Sequence, residues 1–453
     1  MSPVAQARAA IARINAADHL LDAFITVTPA RAMAEARMLE ARLAEGEAPG
    51  PLAGIPYALK DIYDTAGIRT TCHSKLRENH VPAEDCHVAE RLRAAGAVLV
   101  GKTGTHEFAI GGPSFDLPFP PPRNPWNRDH VPGGSSSGSA AAVAAGMVRF
   151  AMGSDTGGSI RHPAAYCGVV GLKPTYGRVS RRGVFPLSWT MDHCGPLARS
   201  VRDAALALRA VAGHDPLDPG SAAVPVPDYL ADIEVGVAGL RIGVPRAWFA
   251  ALPGADPQAL AAIKRTAALL REAGARVEDV ALPDFALFAA CGRVILAAEA
   301  FAVHARDLRE RPRDYGRVAF QRLALGATIT APELVQAMRL RRELTDAVSD
   351  ALARHDALLT ANVLIPAPRF DALPDAMAAA APMQMIQFNV TGHPALALPV
   401  GLHESGLPLG VQLAGRAFDE ATLLRIGRAV ERLTGWDRMP LPDMTRPAGQ
   451  ALA

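Results

Sequence analysis

VPGGSSSGSAAAVAAGMVRFAMGSDTGGSIRHPAAYCGVVGLKPTYG, residues 131–177, sets two glycine-flanked serine clusters on either side of a run of small residues. Gly133, Gly134, Gly138, Gly157 and Gly158 free the backbone for tight or left-handed conformations, so that consecutive N–H groups can converge on one small volume. Ser135, Ser136, Ser137 and Ser159 bring hydroxyls to the same place. Ser139–Met147 reads as a helix buried on most sides that opens at the first serine cluster. Residues 150–153 read as a short buried strand that delivers Asp155-Thr-Gly-Gly-Ser159 at its exit. The arrangement is that of a nucleophile site.

A serine needs a group to take its proton. His130, His162 and His193 flank the clusters, and nothing in their context prefers one of them. Lys60, in Gly54-Ile-Pro-Tyr-Ala-Leu-Lys-Asp-Ile-Tyr-Asp64, follows apolar residues within a strand pattern, where burial favours the neutral amine over the ammonium. Without the serine clusters it would read as a snorkelling lysine; beside them it reads as the base.

Working outward, strand patterns alternate with helical ones, as in an α/β sheet covered on both faces. Helices are expected near 4–15 and 30–45, at Ala83–Ala95, Pro257–Ala273, Ala331–Ala353 and Asp419–Leu433. Strands are expected at Ile55–Leu59, Ala97–Gly101, 240–245, Val277–Leu282, Leu358–Leu364 and Ala395–Pro399, the last pairing with Gly410–Ala414 across the Glu404–Gly406 turn. No repeat or linker divides the 453 residues, so one large domain is the reading.

Other motifs fail on context. Gly96–Thr103 fits the P-loop pattern, but its middle reads as a buried strand and no clear helix follows. Gly134–Gly138 satisfies G-x-S-x-G without a preceding strand. Asp155-Thr-Gly157 has no second copy to form an aspartic dyad.

Lys60, the GGSSSGSAAAVAAG run and GSDTGGSIRHPAAYCGVVGLKPTYGRVS resemble the amidase signature family, from about residue 52 to GLPLGVQLAGRAFDE near the C-terminus. The resemblance implies a central mixed sheet surrounded by helices in one domain, 1–453, with a signature core at 52–200 and a more variable, substrate-determining region at 201–380. It implies Ser159 as nucleophile, Ser135 as a bridging serine after a cis peptide, and Lys60 as base. The 24-residue separation of Ser135 from Ser159 is the family's and selects Ser135 over Ser136. The backbone N–H groups of Thr156, Gly157, Gly158 and Ser159 are the implied oxyanion hole. Gly134, Ser136, Asp155 and Arg161 are supporting residues; Asp155 and Arg161 are open to binding substrate, but read first as an ion pair bracing the loop. One departure is Ser137, where the family commonly has glycine; if that position needs positive φ, serine is strained there.

The implied activity is amide hydrolysis through an acyl-enzyme, with carbamates and ureas open to the same chemistry. The stiff, proline- and aromatic-rich stretch 111–126, if it borders the site, favours an apolar or aryl group. Within the same family the alternative is the A subunit of glutamine-dependent tRNA amidotransferase, which frees ammonia from glutamine for a partner. That subunit carries an aspartate seven residues before the asparagine of its NLAG-type segment. Here Asn389 heads the matching segment and Pro382 stands seven back, which favours a free-standing amidase. A non-catalytic module of the same fold is the reading of another class, and intact Lys60, Ser135 and Ser159 argue against it.

A net charge of +2 with interspersed signs suggests neither a nucleic-acid surface nor a membrane patch. Five scattered cysteines suggest reduced, structural thiols, and the N-terminus lacks a signal-peptide core, so the cytoplasm is the expected location. No apolar run is expected to reach transmembrane length. The expected partner is a small amide, with no nucleic acid directly, no membrane, and a homodimer as an assembly the resemblance allows. No cofactor or metal site is evident.

Overall fold

Lys60 and Asp155 end two neighbouring parallel strands, and the rest of the chain is built around that junction. The computed structural model describes residues 1–373 and 383–444. Among them one sheet of eleven strands runs through the molecule. In chain order these are β1 (Phe24–Val27), β2 (Pro56–Lys60), β3 (Val98–Thr103), β4 (Phe150–Asp155), β5 (Val170–Lys173), β6 (His193–Ala198), β7 (Arg241–Val244), β8 (Arg276–Asp279), β9 (Ala357–Thr360), β10 (Ala395–Leu402) and β11 (Pro408–Gly415). Their order across the sheet is β1-β3-β2-β4-β6-β5-β10-β11-β9-β7-β8. β2 runs parallel to β3 and β4, β7 runs parallel to β8 and β9, and the remaining pairs are antiparallel. This is the mixed sheet the resemblance implied.

The helices cover both faces: α1 (Pro3–Ala17), α2 (Pro29–Ala44), α3 (His87–Ala94), α4 (Ser137–Ala144), α5 (Arg161–Cys167), α6 (Val201–Val211), α7 (Pro257–Glu272), α8 (Phe285–Glu310), α9 (Arg317–Ala324), α10 (Ala331–Arg354), α11 (Gln387–Val390) and α12 (Glu420–Leu433). The period-2 alternation of the strands feeds two core layers. Tyr57, Leu59, Phe150 and Met152 pack with α3, α6 and α12 on one face. Ala58 and Ala151 meet α1, α2 and the alanines of α4 on the other. All eight residues of α4 are buried, which small side chains permit.

Several expectations shift. α4 starts at Ser137 rather than at Ser139, because Ser136 already serves as its N-cap. Ser137 is therefore helical and does not take a positive φ, so the serine is unstrained. The Gly96–Thr103 motif is indeed the buried strand β3. Helix α8 is long and apolar enough to cross a membrane, against the expectation that no run would be, yet it is part of the folded helical layer. It packs on α9, α10 and α11 and carries Arg293 and Glu299 within it. All five cysteines are buried and unpaired, and burial pushes their thiols up, for Cys86 and Cys194 to about 12.

Candidate active site

Lys60 and Asp155 lie at the carboxyl ends of β2 and β4, which run parallel with Leu59 opposite Met152; crevices in open α/β sheets form at such ends. Lys60 is fully buried, and its Nζ donates to Ser135 Oγ at 2.7 Å and to Ser154 Oγ at 2.8 Å. Both partners are neutral hydroxyls. Burial pushes the Lys60 amine down to about 7, against a smaller upward pull from Asp155 and Asp192. Its lone pair is thus available near neutral pH.

Ser135 follows a cis peptide bond from Gly134, and its carbonyl accepts the His106 N–H at 3.1 Å. A Cβ on Gly134 would sit 2.1 Å from the His106 ring, so glycine lets that imidazole lie against the chain. Ser136 ties the two clusters together. Its hydroxyl exchanges hydrogen bonds with the Ser154 carbonyl and N–H, each at 3.2 Å, and its own N–H donates to the Ser159 carbonyl at 3.1 Å. Ser159 is half-buried, in the turn that leads into α5.

Asp155 and Arg161, both fully buried, form a two-pronged ion pair: Nε reaches Oδ2 at 2.9 Å and Nη2 reaches Oδ1 at 2.8 Å. Burial alone would raise the carboxyl, but the guanidinium holds it well below the usual range. Arg161 spends its remaining donors on Met385 O at 2.8 Å, Gln412 Oε1 at 2.6 Å and Asn389 Oδ1 at 2.6 Å. Asn389 returns its amide to the Asp155 carboxylate at 2.8 Å. The pair thus braces the loop. It also requires a correction, because Asp155 Oδ1 already accepts the Gly158 N–H at 2.8 Å. One of the four expected oxyanion donors is thus committed to the loop.

The flanking histidines take structural places. His162 Nδ1 lies 3.1 Å from the Gly134 carbonyl, His193 Nδ1 lies 2.6 Å from Met191 O, and His130 Nδ1 lies 2.6 Å from Ala367 O. Burial lowers His162 to about 4 and His193 well below its ordinary value, so both are neutral at neutral pH. Trp126 packs inward, its indole donating to Cys167 O at 2.9 Å, and Tyr166 is buried against His162. Trp189 is half-exposed and walls a cleft of about 310 Å³ with Arg181, Phe185, Asp192 and Ser154. Pro113, Ser114, Pro121 and Pro122 of the 111–126 stretch border a second cavity beside Gly133, Ser137 and His162. Its other walls include His73, His106 and Glu107, so the space the prolines enclose is partly polar.

Sequence reading missed Ser154, Asp192 and Gln412, and used Asn389 only to mark a segment without giving it a place in the site. Ser154 adjoins the motif but gains meaning only from the pairing of β2 with β4. Asn389 and Gln412 arrive from more than 220 positions downstream of Arg161. Among the described residues no group of three or more His, Cys, Asp or Glu is placed to hold a metal ion.

The Amidase family model matches residues 5–424, and the chain belongs to this family. It is 42% identical over 455 residues to the A subunit of glutamyl-tRNA(Gln) amidotransferase from Moorella thermoacetica, covering 95% of this chain and 93% of that one. The crystal structure of the same subunit from Thermotoga maritima superposes with a TM-score of 0.85 at 34% identity, covering 98% of this chain and 95% of that one. A chain from a protein complex described as vestigial, and as revealing the evolutionary origins of an s-triazine catabolic enzyme, superposes with a TM-score of 0.90 at 39% identity, covering 96% of each. These findings favour the amidotransferase alternative over the free-standing amidase. They also overturn the expectation of no direct nucleic-acid partner, since such relatives are named as subunits of a tRNA amidotransferase.

Proposed function

We propose that this chain is the amide-cleaving A subunit of an amidotransferase-type assembly, freeing ammonia from a carboxamide such as glutamine for a partner that amidates a tRNA-bound acid. The observation that carries the chemistry is the 2.7 Å contact of a buried lysine, with a pKa of about 7, to the serine that follows the cis bond. The Ser159 hydroxyl attacks the amide carbonyl carbon. Its proton passes to Ser135 Oγ as the Ser135 proton passes to the Lys60 amine. The N–H groups of Thr156, Gly157 and Ser159 hold the oxyanion; one such donor is typically worth about 100-fold or more in rate. On collapse the C–N bond breaks, Ser135 gives a proton to the departing nitrogen and takes one back from the Lys60 ammonium; water then attacks the Ser159 ester, its proton passing through Ser135 to Lys60 and returning by the same path to Ser159 Oγ as the acid leaves. The family resemblance and the name shared by the relatives support the assembly, and with it a cytoplasmic location. Residues 52–200 supply the chemistry in this reading, and 201–380 shape the substrate.

A second reading keeps the chemistry and changes the amide: an aryl amide, carbamate or urea. It is favoured by Pro382, where the amidotransferase chain carries a carboxylate for the glutamine amino group; that position lies outside the described residues. Ammonia or amine release would be measured over glutamine, aliphatic amides, anilides and a carbamate, with and without candidate partner subunits and with Ser159→Ala beside it. Glutamine turnover that needs a partner supports the first reading, and turnover of apolar amides by the single chain supports the second. Fluorophosphonate labelling that survives Ser159→Ala would remove Ser159 as nucleophile, and no labelling of the wild type would favour a non-catalytic module.

A further inference from the structure

Asp192 bonds to none of Lys60, Ser135 and Ser159, yet it grips the turn between them. Its Oδ1 accepts the Thr156 hydroxyl at 2.6 Å, while Oδ2 accepts the N–H groups of Leu187 at 2.8 Å and Ser188 at 3.0 Å. Thr156 opens the 156–159 turn, whose far half is already fixed by Asp155 through the Gly158 N–H at 2.8 Å and the Ile160 N–H at 3.1 Å. The turn is thus held at both ends by carboxylates, one on β4 and one on the 187–192 segment. That segment is itself anchored from the outer helices. Glu299 of α8 accepts the Thr190 hydroxyl at 2.8 Å, the Thr190 N–H at 3.1 Å and the Ser188 hydroxyl. Arg341 of α10 donates to Thr190 O at 2.8 Å and Val390 O at 2.7 Å.

We propose that Asp192 is a positioning residue for amide cleavage: it locks Thr156 so that the backbone donors of the turn face the developing oxyanion, and Glu299 and Arg341 hold Asp192 in place. The inference rests on the reading of this turn as the oxyanion hole. Donors stabilise a transition state in proportion to how little they must reorganise, so a turn fixed at one end only is a poorer hole than one fixed at both. A carboxylate suits the place because both of its oxygens accept. An amide has one acceptor oxygen: with that oxygen on the Leu187 and Ser188 N–H donors, Asp192→Asn turns its NH2 to Thr156, whose hydroxyl must then accept rather than donate and loses its charge-assisted bond.

The test is a double-mutant cycle of Asp192→Asn with Thr156→Val, with Thr156→Ser and Ser159→Ala as references, reading kcat and KM on whichever amide the wild-type protein, with its partner if one is needed, turns over best. Asp192→Asn and Thr156→Val are each expected to lower kcat about 10- to 100-fold with KM within about twofold, less than or near the loss of one whole donor. The double variant should be no slower than the slower single, because the two substitutions break one interaction. Thr156→Ser, which keeps the hydroxyl, should retain most of kcat. Should Asp192→Asn fail to fold, the Thr156→Val and Thr156→Ser pair carries the same decision. Unchanged kcat in Thr156→Val, or losses that multiply in the double variant, would overturn the positioning role. Activity that survives Ser159→Ala would instead sink the acyl-enzyme reading beneath it.

Discussion

Lys60 is expected to set the pH dependence of the site. Its amine is pushed to about 7 from the ordinary 10.5, so between those values the unfolded chain holds a proton that the folded chain lacks. Stability from this group is therefore poorest below pH 7, where an ammonium must stay buried, and improves as pH rises toward 10.5. Two results are expected. In wild type, kcat/KM rises with pH to a plateau with an apparent pKa near 7 on its acid limb. Lys60→Met abolishes turnover, and its melting temperature relative to wild type falls as pH is raised, a trend checked by thermal melts from about pH 7 up toward 10.5. Arg161 acts through stability instead. Arg161→Met strands the Asp155 carboxylate in a fully buried place and should cost about 3–5 kcal/mol in denaturant titration, whereas exposed ion pairs such as Arg306 with Glu310 should cost about 1 kcal/mol or less. At this scale the sequence was most legible where function is written in contiguous motifs. The serine clusters and Lys60 stand out by residue type as a candidate nucleophile site and base, and the family resemblance supplies the role of each. Asp192, Asn389 and Gln412 are common polar residues whose meaning comes from the distant groups the fold brings to them.

Helix α4 shows how an element can be placed by one missing side chain. A Cβ on Gly138 would lie 2.3 Å from the Ala23 carbonyl oxygen and 2.5 Å from the Gly104 N, both backbone atoms that cannot swing aside. Gly138→Ala should therefore push α4 off the β1 and β3 side of the sheet and cost about 2–3 kcal/mol, with lost activity because Ser135 and Ser136 lead directly into that helix. A folded variant of wild-type stability would show that the helix has room to shift. Elements with clean periodicity or punctuation were legible before the fold was known. Among these are α7 with its Asp256 cap, α10 with its Thr330–Glu333 capping box, and the hairpin of β10 with β11. Those missed had physical reasons to be quiet. β6 contains Gly195 and Pro196, which weaken any strand signal, and β1 spans four half-buried residues. α8 is apolar on most sides, so no single face stands out.

Across the whole molecule, the two ends of the chain complete the site between them. Arg161, from the first half, takes Asn389 and Gln412 from the second, and Glu420 at the start of α12 accepts the Thr175 N–H at 2.9 Å and the Thr175 hydroxyl at 2.6 Å. β10 and β11 stand between β5 and β9, so within the sheet the strands β7–β9 join the β2–β4 strands through the C-terminal hairpin. The turn at 156–159 is thus set by contacts that close last in sequence. A chain ended at Gly392, before β10, is expected to lose fluorophosphonate labelling of Ser159 even though Lys60, Ser135 and Ser159 are all present, because Arg161 would lack Gln412 and the sheet would end at β5. In the full chain, heating followed by tryptophan fluorescence and by loss of labelling should give coincident transitions, since Trp126 and Trp436 pack together from opposite ends of the sequence with ring centroids 6.0 Å apart. Labelling that persists after truncation, or is lost well below the fluorescence transition, would mean that the signature core holds its own geometry and the C-terminal hairpin serves the substrate rather than the chemistry.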